Sequence, residues 1–210
     1  MLLQPYIGYY IEKSGDGMEK DFYAMLSRMK YIERWALMRN SQSENIAEHS
    51  LEVSIIAHAL AVIHNKRLGG NMNEERAALI ALYHDSTEII TGDMPTPIKY
   101  FNKDIQTAFK EVEQLAANQL LTMLPKDFRE SYESLFFPKA EDIYLWKLVK
   151  AADKLSALIK CIQEENTGNT EFASAKKSIT DTLIDMHMEE VNIFMEEFLL
   201  SYYKTLDELK

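Results

Sequence analysis

The residues best suited to chemistry are two histidines and two aspartates, three of them set in apolar surroundings. His84 and Asp85 directly follow the run Ala77-Ala78-Leu79-Ile80-Ala81-Leu82-Tyr83. A carboxylate in such a run needs a cation or several hydrogen bonds, because an unpaired buried charge is costly. Side by side, the pair offers one imidazole nitrogen and one carboxylate oxygen to a shared metal; a structural His–Asp hydrogen bond is the alternative. Asp153 repeats the pattern beside the apolar positions Val149, Ala152, Leu155 and Ile159. An ion pair with Lys150 or Lys154 would also satisfy it. His49 follows Glu44-Asn45-Ile46-Ala47-Glu48 in the first turns of a long helical tract, and alone it reads equally as a surface or capped histidine.

Together, His49, His84, Asp85 and Asp153 supply two imidazoles and two carboxylates from three separate tracts. Such mixed N/O ligands suit a borderline or hard divalent transition ion better than a thiolate-loving one. With six-fold preference, two positions would remain for water and a phosphate oxygen, and such an ion acidifies water and polarises a phosphoryl group. Glu88 falls four residues after His84 and three after Asp85, so on a continuous helix all three project from nearly one side. A carboxylate there can orient or deprotonate water; a solvated helical Glu is the plainer reading. Asp93, a short loop further on, reaches the same pocket or serves as a turn residue before Met94-Pro95.

The elements that must position these residues are helical. Phe22, Met25, Leu26, Met29 and Ile32 recur at helical spacing. Arg34 to Asn45 has no sustained period and reads as a connecting loop. A helix follows from about Ile46 to Lys66, stopped by Gly69-Gly70. Asn73 is a good N-cap, with Arg76 at the third helical position. The next helix is expected to run unbroken to Ile90. Thr91 to Pro97 is expected to be loop, because two prolines and a glycine break a helix interior. Further helices are expected over Asn102 to Leu124, Glu141 to Glu164, and about Thr170 to Tyr203, with Pro125 and Pro138 between them. No internal repeat and no alternating strand pattern is visible. The fold class is all-α.

Bulk properties narrow the function. Of 210 residues, 47% are hydrophobic and 27% charged, and only 7 Gly and 5 Pro are present, a balance that favours helices in one globular domain. Met1 to Met18, with its Ser14-Gly15-Asp16-Gly17 string, reads as an N-terminal extension before a domain over residues 19–210. It lacks the basic start and apolar core of a signal peptide. The longest apolar stretch, Val53 to Ile63, is too short for a bilayer. A net charge of 23 − 33 = −10 disfavours binding to a nucleic-acid polymer but leaves room for a small phosphorylated metabolite. The single cysteine, Cys161, forms no internal disulfide and points to a reducing cytoplasm, where it reads as a small buried hydrophobe.

The order His, His-Asp, Asp on helices resembles the HD-domain phosphohydrolase superfamily, a compact helical bundle. Within it the sequence is similar to the YfbR-like 5′-deoxynucleotidases. The agreeing stretches are Arg34-Trp35-Ala36-Leu37-Met38-Arg39, Glu44 to Ser50, Tyr83-His84-Asp85-Ser86-Thr87-Glu88, and Thr91 to Phe101. The likeness runs from about residue 20 to the end. It implies that His49, His84, Asp85 and Asp153 bind a divalent transition metal such as cobalt, manganese or copper, with Asp85 and Asp153 also bordering the substrate. It implies catalytic roles for Glu88, through the water, for Arg34, through the phosphate, and for Asp93. A guanidinium fork suits phosphate. Trp35 would line the sugar pocket, where bulk excludes a ribose hydroxyl, and Asp93, Met94, Pro95 and Thr96 would contact sugar and base. The implied substrates are deoxyribonucleoside 5′-monophosphates, and the implied assembly is a homodimer. The stripe Leu183, Met186, Val191, Phe194 and Phe198 would serve either an interface or the core. The alternatives are an HD phosphohydrolase of another nucleotide and a non-catalytic nucleotide-sensing module. Two features depart from the family pattern: the segment Met1 to Met18, and Met94, which stands where other members carry a different apolar residue.

Overall fold

The computed structural model describes residues 20–99 and 101–209, so the expected extension at Met1 to Met18 lies outside the described residues, as does Tyr100. Among the described residues every regular element is a helix, and the one β feature is an isolated bridge between Glu33 and Asn45.

Helix α1 (Phe22–Leu26) runs straight into a 3-10 turn, Ser27–Tyr31. The loop that follows ends at Asn45, which caps α2 (Ile46–Arg67). Its side chain accepts from the Ala47 and Glu48 N–H groups, and the Glu48 carboxylate accepts from the Asn45 N–H. This reciprocal box fixes the angle at which the loop enters the helix. The glycine stop is as expected. Gly69 takes φ +73°, and at Gly70 a Cβ would stand 2.0 Å from the His64 ring, so the two positions demand glycine for different reasons. Asn73 caps α3 (Glu74–Tyr83) through the Arg76 N–H.

The helix expected to run to Ile90 breaks instead at His84. His84 Nδ1 lies 2.7 Å from the Ala81 carbonyl, and Ser86 Oγ donates to the Tyr83 carbonyl at 2.7 Å. These side chains take carbonyls that the helix would otherwise use. The backbone tightens to three-residue steps, Ser86 N–H to Tyr83 and Glu88 N–H to Asp85. A new short helix, α4 (Glu88–Thr91), then ends at Gly92, φ +73°. Pro97, expected in a loop, sits in the first turn of α5 (Thr96–Lys99), where a missing N–H costs nothing.

Asn102 caps α6 (Lys103–Thr122). Pro125, expected between helices, marks the start of α7 (Lys126–Glu133), a short helix that no apolar spacing announces. After a 3-10 turn at Ala140–Asp142 comes α8 (Ile143–Asn166). The tract expected as one helix from Thr170 to Tyr203 divides into a 3-10 turn (Thr170–Phe172), α9 (Ala173–Asp185), α10 (Glu189–Glu197) and a 3-10 turn (Leu199–Tyr203). The break between α9 and α10 falls at His187, φ +50°, a left-handed residue that no Gly or Pro announces.

The core forms where α2 lays Val53, Ala57, Leu60 and Ala61 against Ala77, Ile80 and Ala81 of α3 and Leu148, Ala151, Ala152 and Leu155 of α8. Alanines at these contacts let the helix axes approach closely. Leu183, Val191 and Phe194 are buried in the same core, so most of the α9–α10 stripe is used within the chain; only Phe198 is exposed. By length and composition α2 would suffice to cross a bilayer, but half of its apolar window is buried in this core. The packing of α2, α3 and α8 also brings the start of α2, the end of α3 and the middle of α8 together. There lie His49, His84-Asp85 and Asp153.

Candidate metal centre

One ligand atom from each of His49, His84, Asp85 and Asp153 lies within 4.8 Å of the others. Donors sharing one ion through bonds of about 2.1 Å stand at most about 4.2 Å apart, so small side-chain shifts close this set around a single cation. His84 Nε2 is buried and makes no hydrogen bond, although Asp85 Oδ2 lies 3.1 Å away. An unpartnered buried imidazole nitrogen among carboxylates is what a metal ligand looks like without its metal. The residues fit a divalent ion.

The ring nitrogens facing away from the cluster are tied down. His84 Nδ1–H, donating to the Ala81 carbonyl, leaves Nε2 as a lone pair. For His49 the tie is longer. Ser156 Oγ donates to Glu52 Oε2 at 2.6 Å, so its oxygen is left to accept from His49 Nδ1 at 3.1 Å. Glu44 Oε1 is a second acceptor, 3.3 Å from the same nitrogen. His49 Nε2 then faces Asp153 Oδ1 at 3.1 Å and Asp85 Oδ2 at 3.4 Å. Such outer partners fix the tautomer a metal requires.

The electrostatics agree. Burial opposes ionisation of Asp85 most strongly, but His84 and His49 hold its carboxyl well below the usual carboxylate range. Burial likewise opposes Asp153, and Lys154 with His49 overcomes it. Burial and Arg34 push His49 down, yet hydrogen bonds with Asp153, Asp85 and Glu44 raise it well above an ordinary histidine. The Lys154 ammonium sits 3.0 Å from Asp153 Oδ2, so the ion pair foreseen as an alternative exists beside the cluster rather than in place of it.

Arg34 is a half-buried member of this group rather than a surface charge. Its guanidinium lies 3.3 Å from Glu44, 3.4 Å from Asp85 and 4.0 Å from Asp153. Trp35 shares Glu44 with it, donating Nε1–H to Oε2 at 3.1 Å, and its ring leans on Phe172. Trp35 takes φ +57°, a left-handed conformation that a bulky L residue avoids unless its surroundings enforce it.

Glu88 is buried with Oε2 unpartnered, and it borders a cavity of about 240 Å³ together with His84, Asp85 and the aromatic rings of Phe136, Phe137 and Trp146. Burial, Asp85 and Asp93 push its carboxyl up to about 9, against Arg34 and Lys99. The break at His84 means that Glu88 reaches this cavity from a turn and a second short helix, not from one continuous helical face. Burial also raises Asp93, opposed by Arg34. Met94, Pro95 and Thr96 follow it, the first two half-buried and Thr96 exposed, and among the described residues no side-chain hydrogen bond joins them to the cluster. Sequence reasoning missed Glu44, Glu52 and Ser156. Glu52 is three residues after His49 and Ser156 three after Asp153, a spacing that shares a helix side and could have drawn attention to both.

An all-helical frame with a two-His, two-Asp centre on converging helices defines an HD-domain phosphohydrolase. The chain superposes on the HD-domain phosphohydrolase of Listeria innocua with a TM-score of 0.73 at 25% identity, covering 87% of this chain and 88% of that one. It shares its fold with the cyanophage S-2L HD phosphohydrolase DatZ, solved bound to dA and one catalytic Zn2+ ion (TM-score 0.60, 21% identity, 87% and 96% covered). Residues 21–202 match the family described as 5′-deoxynucleotidase YfbR-like. Over 191 residues the chain is 48% identical to the 5′-deoxynucleotidase of Vibrio cholerae, covering 91% of this chain and 98% of that protein. It is 46% identical to the 5′-deoxynucleotidase YfbR of Escherichia coli, with 91% and 96% covered. This chain belongs to the YfbR-like 5′-deoxynucleotidase family.

Proposed function

We infer that the protein is a metal-dependent 5′-deoxynucleotidase that hydrolyses deoxyribonucleoside 5′-monophosphates to deoxynucleosides and phosphate. The observation that carries this reading is the converged cluster of His49, His84, Asp85 and Asp153, with His84 Nε2 unpartnered, in a chain of this family. Held by these four residues, a divalent ion would polarise the phosphoryl group and acidify water beside it. Cobalt, manganese or copper(II) suits the mixed N/O donors, and the zinc of the cyanophage relative adds a fourth candidate.

The chain's own groups then divide the work. Water attacks phosphorus in line with the 5′-oxygen, and the P–O bond to that oxygen breaks. Glu88 orients the attacking water and takes its proton: burial beside Asp85 and Asp93 pushes its carboxyl up to about 9, and a divalent ion held by Asp85 would draw it back down to the ionised form a base needs. Arg34, held beside Asp85 and Asp153, offers N–H donors to the phosphoryl oxygens as charge builds on them. Asp93, whose carboxyl burial raises against the pull of Arg34, is assigned to the leaving-group side, where it would give a proton to the departing 5′-oxygen. Trp35 is assigned to the wall against C2′, and Met94, Pro95 and Thr96 to sugar and base.

We further infer a cytoplasmic homodimer built from one domain over residues 19–210. The exposed Leu51, Ile55, Leu79 and Leu82 on the mutually packed α2 and α3 support self-association better than the α9–α10 stripe does. The test of function is phosphate release from dAMP, dTMP and AMP with cobalt or manganese supplied. Release from the deoxynucleotides at least about tenfold faster than from AMP is expected. Equal rates would refute the sugar preference, and no release from any of them would refute the enzyme.

A further inference from the structure

The loop from Arg34 to Asn45 carries three members of the site, Arg34, Trp35 and Glu44, yet has no regular structure of its own. Its base is closed by Arg34 N–H to the Glu44 carbonyl at 2.8 Å and Ile46 N–H to the Ile32 carbonyl at 3.0 Å. Its far side is gripped by α8. Lys160 and Glu164, one turn apart, are 5% and 1% exposed, although long charged side chains are almost never buried so completely. Lys160 Nζ donates to Glu164 Oε1 at 2.5 Å and to the Gln42 carbonyl at 2.6 Å. Glu164 Oε2 accepts from the Ser41 N–H at 2.8 Å and from Asn169 Nδ2 at 2.8 Å, and Asn169 Nδ2 also reaches the Arg39 carbonyl at 2.7 Å.

Trp35 lies between the two anchors in its left-handed conformation, with its carbonyl taken by Asn40 Nδ2 and the Met38 N–H. A strained residue keeps its conformation only where the surroundings over-determine it. A direct path joins the two features: the Lys160 ammonium stands 5.9 Å from the centre of the Phe172 ring, and that ring packs 5.3 Å, centre to centre, from the indole of Trp35. A buried ion pair is poor value for stability alone, since apolar residues of the same bulk often do as well. What an apolar pair cannot do is hold a loop N–H and a loop carbonyl at a fixed register.

We propose that Lys160 and Glu164 are positioning residues, a buried clamp that holds Trp35 and Arg34 in place and thereby sets the preference for deoxyribose over ribose. The inference rests on the deoxynucleotidase reading above. The metal ligand Asp153 is on the same helix about two turns earlier, so the clamp ties the substrate loop and the metal centre to one rigid element.

The test compares wild type, the double variant Lys160→Met/Glu164→Gln, which keeps bulk and removes both charges, and the milder Asn169→Ala. Val191→Ala, in the core away from the loop, controls for lost stability. The readouts are kcat/KM for dAMP and for AMP, and acrylamide quenching of Trp35 in a Trp146→Phe background. The double variant is expected to lose dAMP-over-AMP discrimination on the order of tenfold or more, with Trp35 more readily quenched, and Asn169→Ala to move both readouts the same way by less. Val191→Ala should lower Tm and leave both unchanged. Should the double variant not fold, Asn169→Ala decides alone. Wild-type discrimination and quenching in either folded clamp variant would overturn the proposal. A wild type with no sugar preference would overturn the functional reading instead, while Trp35 quenching still decides the clamp.

Discussion

Replacing Ser156 by alanine should loosen the metal without touching any of its ligands. Ser156 is fully buried, so alanine fits and only the hydroxyl is lost. That hydroxyl donates to Glu52 and accepts from His49, and it is one of two partners that bias His49 toward the tautomer with a free Nε2. Losing such an outer partner costs about 10- to 100-fold in metal affinity. Because Glu44 remains 3.3 Å from the same nitrogen, the lower end applies: about tenfold, or about 1.4 kcal/mol. Stability of the metal-free protein should fall by about 1.5–3 kcal/mol, the worth of a hydrogen bond to a charged group, since Glu52 is left without this donor. The assay is competition for metal against a chelator of known affinity, paired with denaturant melts of metal-free protein. Unchanged metal affinity in a folded Ser156→Ala protein would show that the Glu52–Ser156–His49 chain does not orient the ligand.

Four other outcomes follow from the structure. Glu88→Gln should lower kcat by about 10²- to 10⁴-fold while metal content is retained. The same variant should flatten a pH slope: with its folded carboxyl pushed up to about 9, Glu88 favours folding fully only below its unfolded value near 4.5, and that contribution is lost as pH rises toward 9. Metal-free wild type should therefore be less stable in denaturant at pH 9 than at pH 5, and Glu88→Gln less so. Glu164 acts in the opposite sense. Buried, but hydrogen-bonded to Lys160 and Ser41, it is lowered to about 2, so on the order of 3 kcal/mol of stability is present above pH 4.5 and is lost as pH falls through 2, visible as an acid limb that Glu164→Gln flattens. Gly70→Ala should drive a methyl into the His64 ring and lower stability by about 1–3 kcal/mol in thermal melts.

The convergence of His49, His84, Asp85 and Asp153 was partly legible in the sequence, because three of the four place a polar group within an apolar run. Asp85 and Asp153 stand out against alanines and leucines, and order along the chain then groups them with His49 and His84. Asn102, expected as the first residue of its helix, proves to be the cap, whereas the helix cap at Asn73 and the stop at Gly69-Gly70 are local chemistry and read correctly. The break at His84 did not, because it depends on side chains of His84 and Ser86 capturing carbonyls, which apolar periodicity does not encode. His187 likewise breaks the last tract without Gly or Pro to signal it. The loop holding Arg34 and Trp35 has no period, and nothing in the sequence ties it to Lys160 and Glu164, which stand simply four residues apart in a helical tract. Only the fold shows that the pair is buried and reaches across to Ser41 and Gln42.

The most direct test is a metal titration of dAMP hydrolysis, starting from metal-free protein and following phosphate release against bound ion. Turnover is expected to be absent without metal, to rise in proportion to occupancy, and to level off at one ion per chain, with His84→Ala failing to reach it at the same free metal. Full turnover in metal-free protein, or wild-type metal binding by His84→Ala, would contradict a catalytic centre built from His49, His84, Asp85 and Asp153.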